Sequence, residues 1–183
     1  MVKSLFPLSA MLVLAALALG ALAGCQTNLV PQCPAVRVDN ATASVTKFRD
    51  GGTQTAGDIE YRADILGFKG ECDFDEDKDD GKVDVTFNVD FAITGGPAAK
   101  GGDTSLYYFV AIPQFFPDTA GKRVLVARAK VPARAAERQT FTETGVTVTI
   151  PLKEGQAGAG FDVYVGFQVD AAQLEYNRSQ STR

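Results

Sequence analysis

VDVTFNVDFAI, residues 83–93, alternates apolar and polar side chains from Val83 to Asp90. Successive side chains of a β-strand point to opposite faces, so one face of this segment is apolar and the other is polar. A helix would scatter the same residues around its circumference. The segment is therefore predicted to be a half-buried strand.

The same period of two recurs along the chain beyond Cys33, between turn-forming stretches such as Asp50-Gly51-Gly52 and Gly95-Gly96-Pro97. Two segments, 105–112 (SLYYFVAI) and 161–169 (FDVYVGFQV), are apolar on both faces and are predicted to be heavily covered central strands. With residues 83–93, the predicted strands number about nine, and the others are 35–39, 43–48, 59–65, 123–131, 139–143 and 146–150.

Many short strands at this spacing predict an all-β fold, an antiparallel sandwich of the immunoglobulin or fibronectin type III kind. Only residues 171–177 have a helical pattern, which predicts one short helix at the end of the domain. The domain is expected to span residues 35–177, and residues 178–183 are expected to form a polar tail that frays.

Composition narrows the range of functions. The 183 residues are 45% hydrophobic and 22% charged, as in a globular protein, and the net charge of −4 argues against binding to nucleic acid. The chain contains no histidine, which removes the usual general base and every histidine-dependent triad. We therefore expect no enzyme and no cofactor, and a hydrolase that uses only carboxylates is the remaining catalytic alternative.

Residues 1–24 have the parts of a secretory signal. Lys3 supplies the positive charge, and Ala10–Leu19 supplies an apolar run that is short for a membrane-spanning helix. The run is followed by Leu22-Ala23-Gly24-Cys25, which resembles the lipobox of bacterial envelope lipoproteins processed by the type II signal peptidase. The alternative is an ordinary leader followed by a chance cysteine.

This resemblance implies cleavage after Gly24, acylation of Cys25, and a tether over residues 25–34. Several acyl chains anchor a protein stably where a single chain does not. Because Gln26 follows Cys25 where an Asp would favour retention at the inner membrane of a Gram-negative cell, the resemblance implies the inner leaflet of the outer membrane, facing the periplasm. The strand layout and the closing residues 168–178 loosely resemble β-sandwich lipoproteins of unknown function in alphaproteobacteria, which supply no functional residues.

Acylation of Cys25 would leave two cysteines, Cys33 and Cys72, and an even number in an exported domain predicts one disulfide bond. The alternative is a pair of buried free thiols. A zinc site is less favoured because two cysteines without histidine leave it short of ligands.

An acidic cluster occupies residues 71–81, where Asp73, Asp75, Asp77 and Asp79 repeat at the odd spacing of calcium-binding loops. The EF-hand pattern fails, since the sixth and twelfth positions counted from Asp75 are Asp80 and Thr86 instead of Gly and Glu. We expect a solvated hairpin that binds divalent metal weakly or not at all, with a weak calcium site as the alternative.

A basic stretch runs from Gly121 to Arg138, with six bases and one acid. Arg128, Lys130 and Arg134 are candidates for a surface that docks an anionic partner, and the alternative is that they guard an edge strand against aggregation. Just before this stretch, Phe115 and Phe116 are expected to end a core strand, with an exposed apolar patch as the alternative.

The sequence therefore favours a non-enzymatic accessory or interaction module of the cell envelope, held at the membrane through Cys25 and engaging an envelope protein. The alternative is a protein that binds a small ligand or an envelope polysaccharide, for which a deep pocket lined by Tyr107, Tyr108 and Tyr164 would be evidence. Two carboxylates about 5–10 Å apart across a cleft would favour the hydrolase.

Overall fold

The computed structural model describes residues 32–75, 81–153 and 155–181. Within these residues it contains eight β-strands and one α-helix. The elements are β1 (Ala35–Val38), β2 (Ser44–Phe48), β3 (Ile59–Asp75), β4 (Gly81–Gly95), β5 (Gly102–Ala111), β6 (Lys122–Val131), β7 (Arg138–Leu152), β8 (Asp162–Phe167) and α1 (Ala171–Ser181).

The strands form two four-stranded sheets, with the orders β1-β8-β5-β6 and β2-β3-β4-β7. All neighbouring strands are antiparallel except β1 and β8, which are parallel, with Ala35 opposite Asp162. The predicted all-β sandwich is confirmed. Its strand order places β2, β3 and β4 side by side, which differs from the ABED and CFG order of the constant immunoglobulin domain.

The core lies between the two sheets and consists of the inward faces predicted from the alternation. Phe91 of β4 is fully buried and contacts rings of the opposite sheet, at 5.4 Å from Tyr108 of β5 and 5.8 Å from Phe167 of β8. Phe141 of β7 stacks on the same ring at 5.2 Å. Such aromatic contacts add to the hydrophobic burial, so this cluster couples the two sheets.

β3 runs from Ile59 to Asp75 and so continues well past the predicted strand segment 59–65. The register with β4 shifts between Ile65 and Gly67, which leaves Leu66 as a bulge. A bulge inserts one residue, so the inward positions are odd up to Ile65 and even from Phe68 onward. The predicted segment 59–65 and the segment through Cys72 therefore belong to the same strand.

β7 merges the predicted segments 139–143 and 146–150 in the same way, which reduces the expected nine strands to eight. Its register with β4 shifts between Phe87 and Val89, and Gly145 adopts a φ of 70° that suits glycine. The Asn88 side chain accepts a hydrogen bond from the Gly145 amide at 3.0 Å, which satisfies the amide at the bulge.

The predicted disulfide is present between Cys33 and Cys72, whose Cα atoms are 5.8 Å apart. It joins the segment that precedes β1 to the interior of β3. The adjoining backbone is packed closely, because a side chain at Gly158 would collide with the carbonyl oxygen of Gln32 and with the ring of Phe74. The start of the domain is therefore held against the loop before β8.

Helix α1 is longer than predicted and extends past Asn177 to Ser181, into the residues expected to fray. The buried Asn177 amide donates hydrogen bonds to the carbonyls of Ala41 (3.0 Å) and Ser44 (2.8 Å). The Tyr176 ring also meets Phe48 of β2 at 5.4 Å. These contacts dock the helix onto the domain. Tertiary packing of this kind stabilises helical turns that helix propensity alone does not predict. In the described part of the chain, no helix has both the length and the apolar character to cross a membrane.

Candidate interaction surface

The outward side of the β5–β6 hairpin carries the basic residues selected from the sequence. We call this surface the β5–β6 face and define it by the outward side chains at Asp103, Ser105, Tyr107, Phe109, Lys122, Val124, Val126, Arg128 and Lys130. The register pairs Tyr107 with Val126, Ser105 with Arg128, and Asp103 with Lys130. As expected from the alternation, Ala127, Ala129 and Val131 of β6 point into the core.

The centre of the β5–β6 face is apolar and solvent-exposed. Tyr107, Val124 and Val126 are neighbours on the two strands and are 48% to 55% exposed. The Lys122 ammonium lies 4.5 Å from the centre of the Phe109 ring, a cation–π contact at one end of this patch. β5 is a central strand of its sheet, as predicted. However, only its core-facing side is covered, whereas both sides were expected to be.

The basic rim follows at the other end of the face. Arg128 and Lys130 are both exposed and stand two residues apart on β6, about 7 Å along the strand. Arg134 lies in the loop beyond, where its carbonyl oxygen packs against Gly95. None of the three forms an ion pair with a described residue.

Two interpretations of this rim are compatible with its position. β6 is an edge strand of its sheet, which is the premise of the edge-guarding interpretation. A shallow concavity lined by Asp103, Ser105, Arg128 and Lys130 also gives an anionic group a place to meet two cations. The adjoining apolar patch is not needed to guard an edge, and it gives the surface the apolar centre and charged rim of an interface.

The three tyrosines named as pocket-lining candidates do not come together. Tyr108 points into the core, whereas Tyr107 points outward from the neighbouring position, and Tyr164 lies on β8 opposite Ala111. Burial, opposed in part by Arg123 and reinforced by Glu143, raises the pKa of Tyr108 to about 12. The phenol therefore stays protonated at neutral pH and serves the packing of the core.

Carboxylates on the outward face of the other sheet are paired with threonines. Thr149 donates a hydrogen bond to Asp84, Thr142 donates to Asp90, and the hydroxyls of Thr86 and Thr147 lie 3.0 Å apart. The Thr149 hydroxyl is the main cause that lowers the pKa of Asp84, with a smaller contribution from Lys82. A glycosidase acid needs a raised pKa, so Asp84 is unsuited to that role.

The acidic segment is only partly described. Asp77 and Asp79 lie outside the described residues, while Asp73 and Asp75 lie exposed on the last part of β3. The Asp75 carboxylate is 3.8 Å from the Lys82 ammonium, which competes with any cation for it. Among the described residues, no group of three or more acidic or cysteine side chains is arranged to hold a metal ion. Weak or absent calcium binding stays a prediction.

The two phenylalanines before the basic stretch have different surroundings. Phe115 packs at 5.6 Å from the Phe161 ring, whereas Phe116 is the most exposed large hydrophobic residue described. Both follow the end of β5 at Ala111 and lie in the connection to β6. The expectation that both rings end a core strand is therefore wrong, because the strand stops before them and only Phe115 turns inward.

The fold and this surface define a two-sheet β-sandwich with an apolar, basic-rimmed outer face. No protein family model, no curated protein and no solved structure matches this chain. Cys25, the predicted lipidation site, lies outside the described residues.

The apolar patch is the part of the surface that the sequence analysis missed. The sequence feature that could have revealed it is the alternation within SLYYFVAI. Tyr107 and Phe109 lie on one face of this strand, and Leu106, Tyr108 and Val110 lie on the other. A strand that is apolar on both faces is ordinarily covered on both. Only the sheet arrangement shows that no described element covers Tyr107, Val124 and Val126.

Proposed function

We propose that this protein is a lipid-anchored, periplasm-facing lipoprotein of the outer membrane that acts as a non-enzymatic interaction module of the cell envelope. The observation that carries the proposal is Leu22-Ala23-Gly24-Cys25 directly after an apolar run of signal-peptide length. Acylation at Cys25 would attach the sandwich to a bilayer through the tether of residues 25–34.

The disulfide supports an exported location. Disulfide bonds persist in oxidising compartments such as the periplasm and are rare in a reducing cytosol. Cys33 and Cys72 are bonded in the folded domain, and the remaining cysteine of the sequence is Cys25. One cysteine is therefore left for the lipid and none for an unpaired thiol.

The β5–β6 face supports the interaction role. Interfaces combine an apolar centre rich in aromatic residues with a polar rim, and Tyr107 beside Val126 and Arg128 has that composition. On a chain of net charge −4, three cations without an ion-pair partner among the described residues attract an anionic partner. The chemistry of the face therefore fits a protein partner with an acidic, partly apolar surface.

The anchor is tested by changing Cys25 to Ser. The Cys25→Ser protein should lack acyl mass and should stay uncleaved or leave the membrane fraction, because serine removes the thiol that receives the lipid. A Gln26→Ser variant is the matched control, since it changes the next residue and keeps the lipobox. Mass spectrometry of the mature N-terminus makes the measurement, and a wild-type protein without acyl mass at Cys25 would refute the proposal.

A further inference from the structure

The connection between β5 and β6 presents an apolar tip at one end of the sandwich. Phe116 is 85% exposed, and its neighbours Pro113, Pro117 and Ala120 are exposed as well. Between Ile112 and Gly121 the only charged residue is Asp118. Single exposed apolar residues are ordinary on a protein surface, but Phe116 stands beside further apolar residues, and the exposed polar residues of this loop are Gln114, Asp118 and Thr119.

The tip is held in one shape. Phe115 packs against Phe161 and anchors the tip to the domain. The Asp118 carboxylate accepts a hydrogen bond from the Ala120 amide at 2.9 Å, and the Ile112 amide donates to the carbonyl of Gly121 at 2.8 Å. Phe116 is therefore presented outward on a fixed loop.

The same end of the domain receives the tether. β1 starts beside Asp162, which lies just beyond Ala111 in the register of the sheet, so the chain enters where β5 ends. Gln32 packs against Gly158, and the Gln114 side chain donates to the carbonyl of Gly160 at 3.4 Å. The loop before β8 thus contacts both the incoming chain and the loop that carries Phe116.

Chain length limits how far this end can lie from a bilayer that holds a lipid on Cys25. Seven residues lead from Cys25 to Gln32, and fully extended they span at most about 25 Å. β4 has 15 residues and is about 50 Å long, so the tether is shorter than the domain. A lipid on Cys25 therefore keeps the Phe116 end within reach of the membrane and prevents the domain from standing on its opposite end.

We propose that the loop of residues 112–121 inserts Phe116 into the surface of the bilayer that holds the lipid anchor. This inference rests on the proposed anchoring through Cys25 and adds a second, apolar contact between the domain and the lipid. Aromatic side chains are favoured at the membrane interface. The contact orients the sandwich upright, with Arg128 and Lys130 toward the far end of β6.

The expected contact is apolar and not electrostatic. Around the tip, Lys122 and Lys153 are exposed, but so are Asp75 and Asp118, and the chain continues from Asp75 with the acidic residues Glu76, Asp77, Asp79 and Asp80. Asp162, at the start of β8, is paired with Arg37 at 3.1 Å. Because both signs are present, an uncharged phospholipid surface should suffice, and salt should have little effect.

Because the chain contains no tryptophan, a single introduced tryptophan can report on the insertion by its fluorescence. Phe116→Trp places the only indole of the protein at the tip, and Tyr107→Trp places it at a half-exposed position of the β5–β6 face as the matched control. The acylated full-length variants are incorporated into phosphatidylcholine vesicles whose acyl chains carry bromine, a short-range quencher. Fluorescence of Phe116→Trp should be blue-shifted and quenched at least about twofold, while that of Tyr107→Trp should be nearly unchanged.

The outcomes separate the two proposals. If both variants carry the acyl group and Phe116→Trp is quenched no more than Tyr107→Trp, the insertion is refuted while the anchor stands. Equal strong quenching of both would mean that the domain lies on its β5–β6 face, which also refutes the insertion. If no acyl mass is found at Cys25, the anchoring fails and the inference fails with it. Melting curves of both variants, expected to match wild type, show that the comparison is made on folded protein.

Discussion

At the scale of single residues, Asp58 organises the loop between β2 and β3. Its buried carboxylate accepts hydrogen bonds from the amides of Thr53 (3.1 Å) and Thr55 (3.2 Å) and from both threonine hydroxyls, and it pairs with Arg49. The Thr55 hydroxyl is the largest of the contributions that hold the pKa of Asp58 far below its usual value. One ionised side chain thus holds together a loop that buries few apolar side chains.

Replacing Asp58 with Asn should lower the melting temperature by about 5 °C or more at neutral pH, because one acceptor oxygen is lost and an amide donor faces other donors. The folded-state pKa is depressed, so the stabilisation is present above the unfolded pKa near 4 and is lost as pH falls below it. The difference in melting temperature between wild type and Asp58→Asn should therefore shrink below about pH 4.

Asp50→Asn is the control for this measurement. Asp50 is in the same loop and pairs with Lys47 at 2.9 Å, but its side chain is 96% exposed, so solvent screens the pair. Its replacement should leave the melting curve nearly unchanged. Equal melting of Asp58→Asn and Asp50→Asn at neutral pH would contradict the role assigned to Asp58.

At the scale of elements, the disulfide fixes the start of the domain to β3. The two cysteines are 39 residues apart, and closing a loop of this length in the unfolded chain contributes about 4 kcal/mol in the chain-entropy model. Cys33→Ala combined with Cys72→Ala should lower the free energy of unfolding by about that amount in urea titrations.

A reducing agent provides the matched comparison. Wild-type protein with dithiothreitol should unfold at the same urea concentration as the double variant, and the double variant should not respond to the reagent. Unfolding of wild type that is insensitive to reduction would show that the bond contributes nothing to stability.

At the scale of the whole molecule, the β5–β6 face tests whether the basic rim recruits a partner. Changing Arg128, Lys130 and Arg134 together to Glu should weaken capture of the proposed envelope partner at least about tenfold at low salt and less at high salt, because rim charges act mainly on the association rate. The melting temperature should barely move, since none of the three forms an ion pair with a described residue.

A second triple variant controls for net charge. Lys69, Lys100 and Lys153 are exposed residues elsewhere on the described surface, of which Lys100 lies 3.5 Å from the Glu60 carboxylate, and changing them to Glu alters the total charge equally. Partner capture from membranes after crosslinking is measured for both proteins. If the Arg128, Lys130 and Arg134 variant captures the same partners as wild type at low salt, edge guarding is the remaining interpretation of the rim.

Local sequence patterns were sufficient to predict most strands and to predict which of their side chains point into the core. The alternation of residues 83–93 predicted β4, because burial of one face of a sheet imposes a period of two on any strand. The same rule placed Arg128 and Lys130 outward and Ala127 and Ala129 inward on β6. The pairing of Cys33 with Cys72 followed from counting the cysteines that remain once Cys25 is assigned to the lipobox, which needs no coordinates.

The tertiary structure was required wherever the outcome depended on residues distant in sequence. The bulge at Gly145 joins two segments that were predicted as separate strands, and the bulge at Leu66 lets β3 continue past residue 65. Both bulges are defined by the register with β4, which the sequence does not show. Whether Tyr107 and Val126 are covered depends on what packs over the sheet, and their apolar character is equally suited to core and surface. The Phe116 tip and the start of β1 lie 81 residues apart in sequence, between Ala35 and Phe116. They are at the same end of the sandwich only because β8 pairs with both β1 and β5.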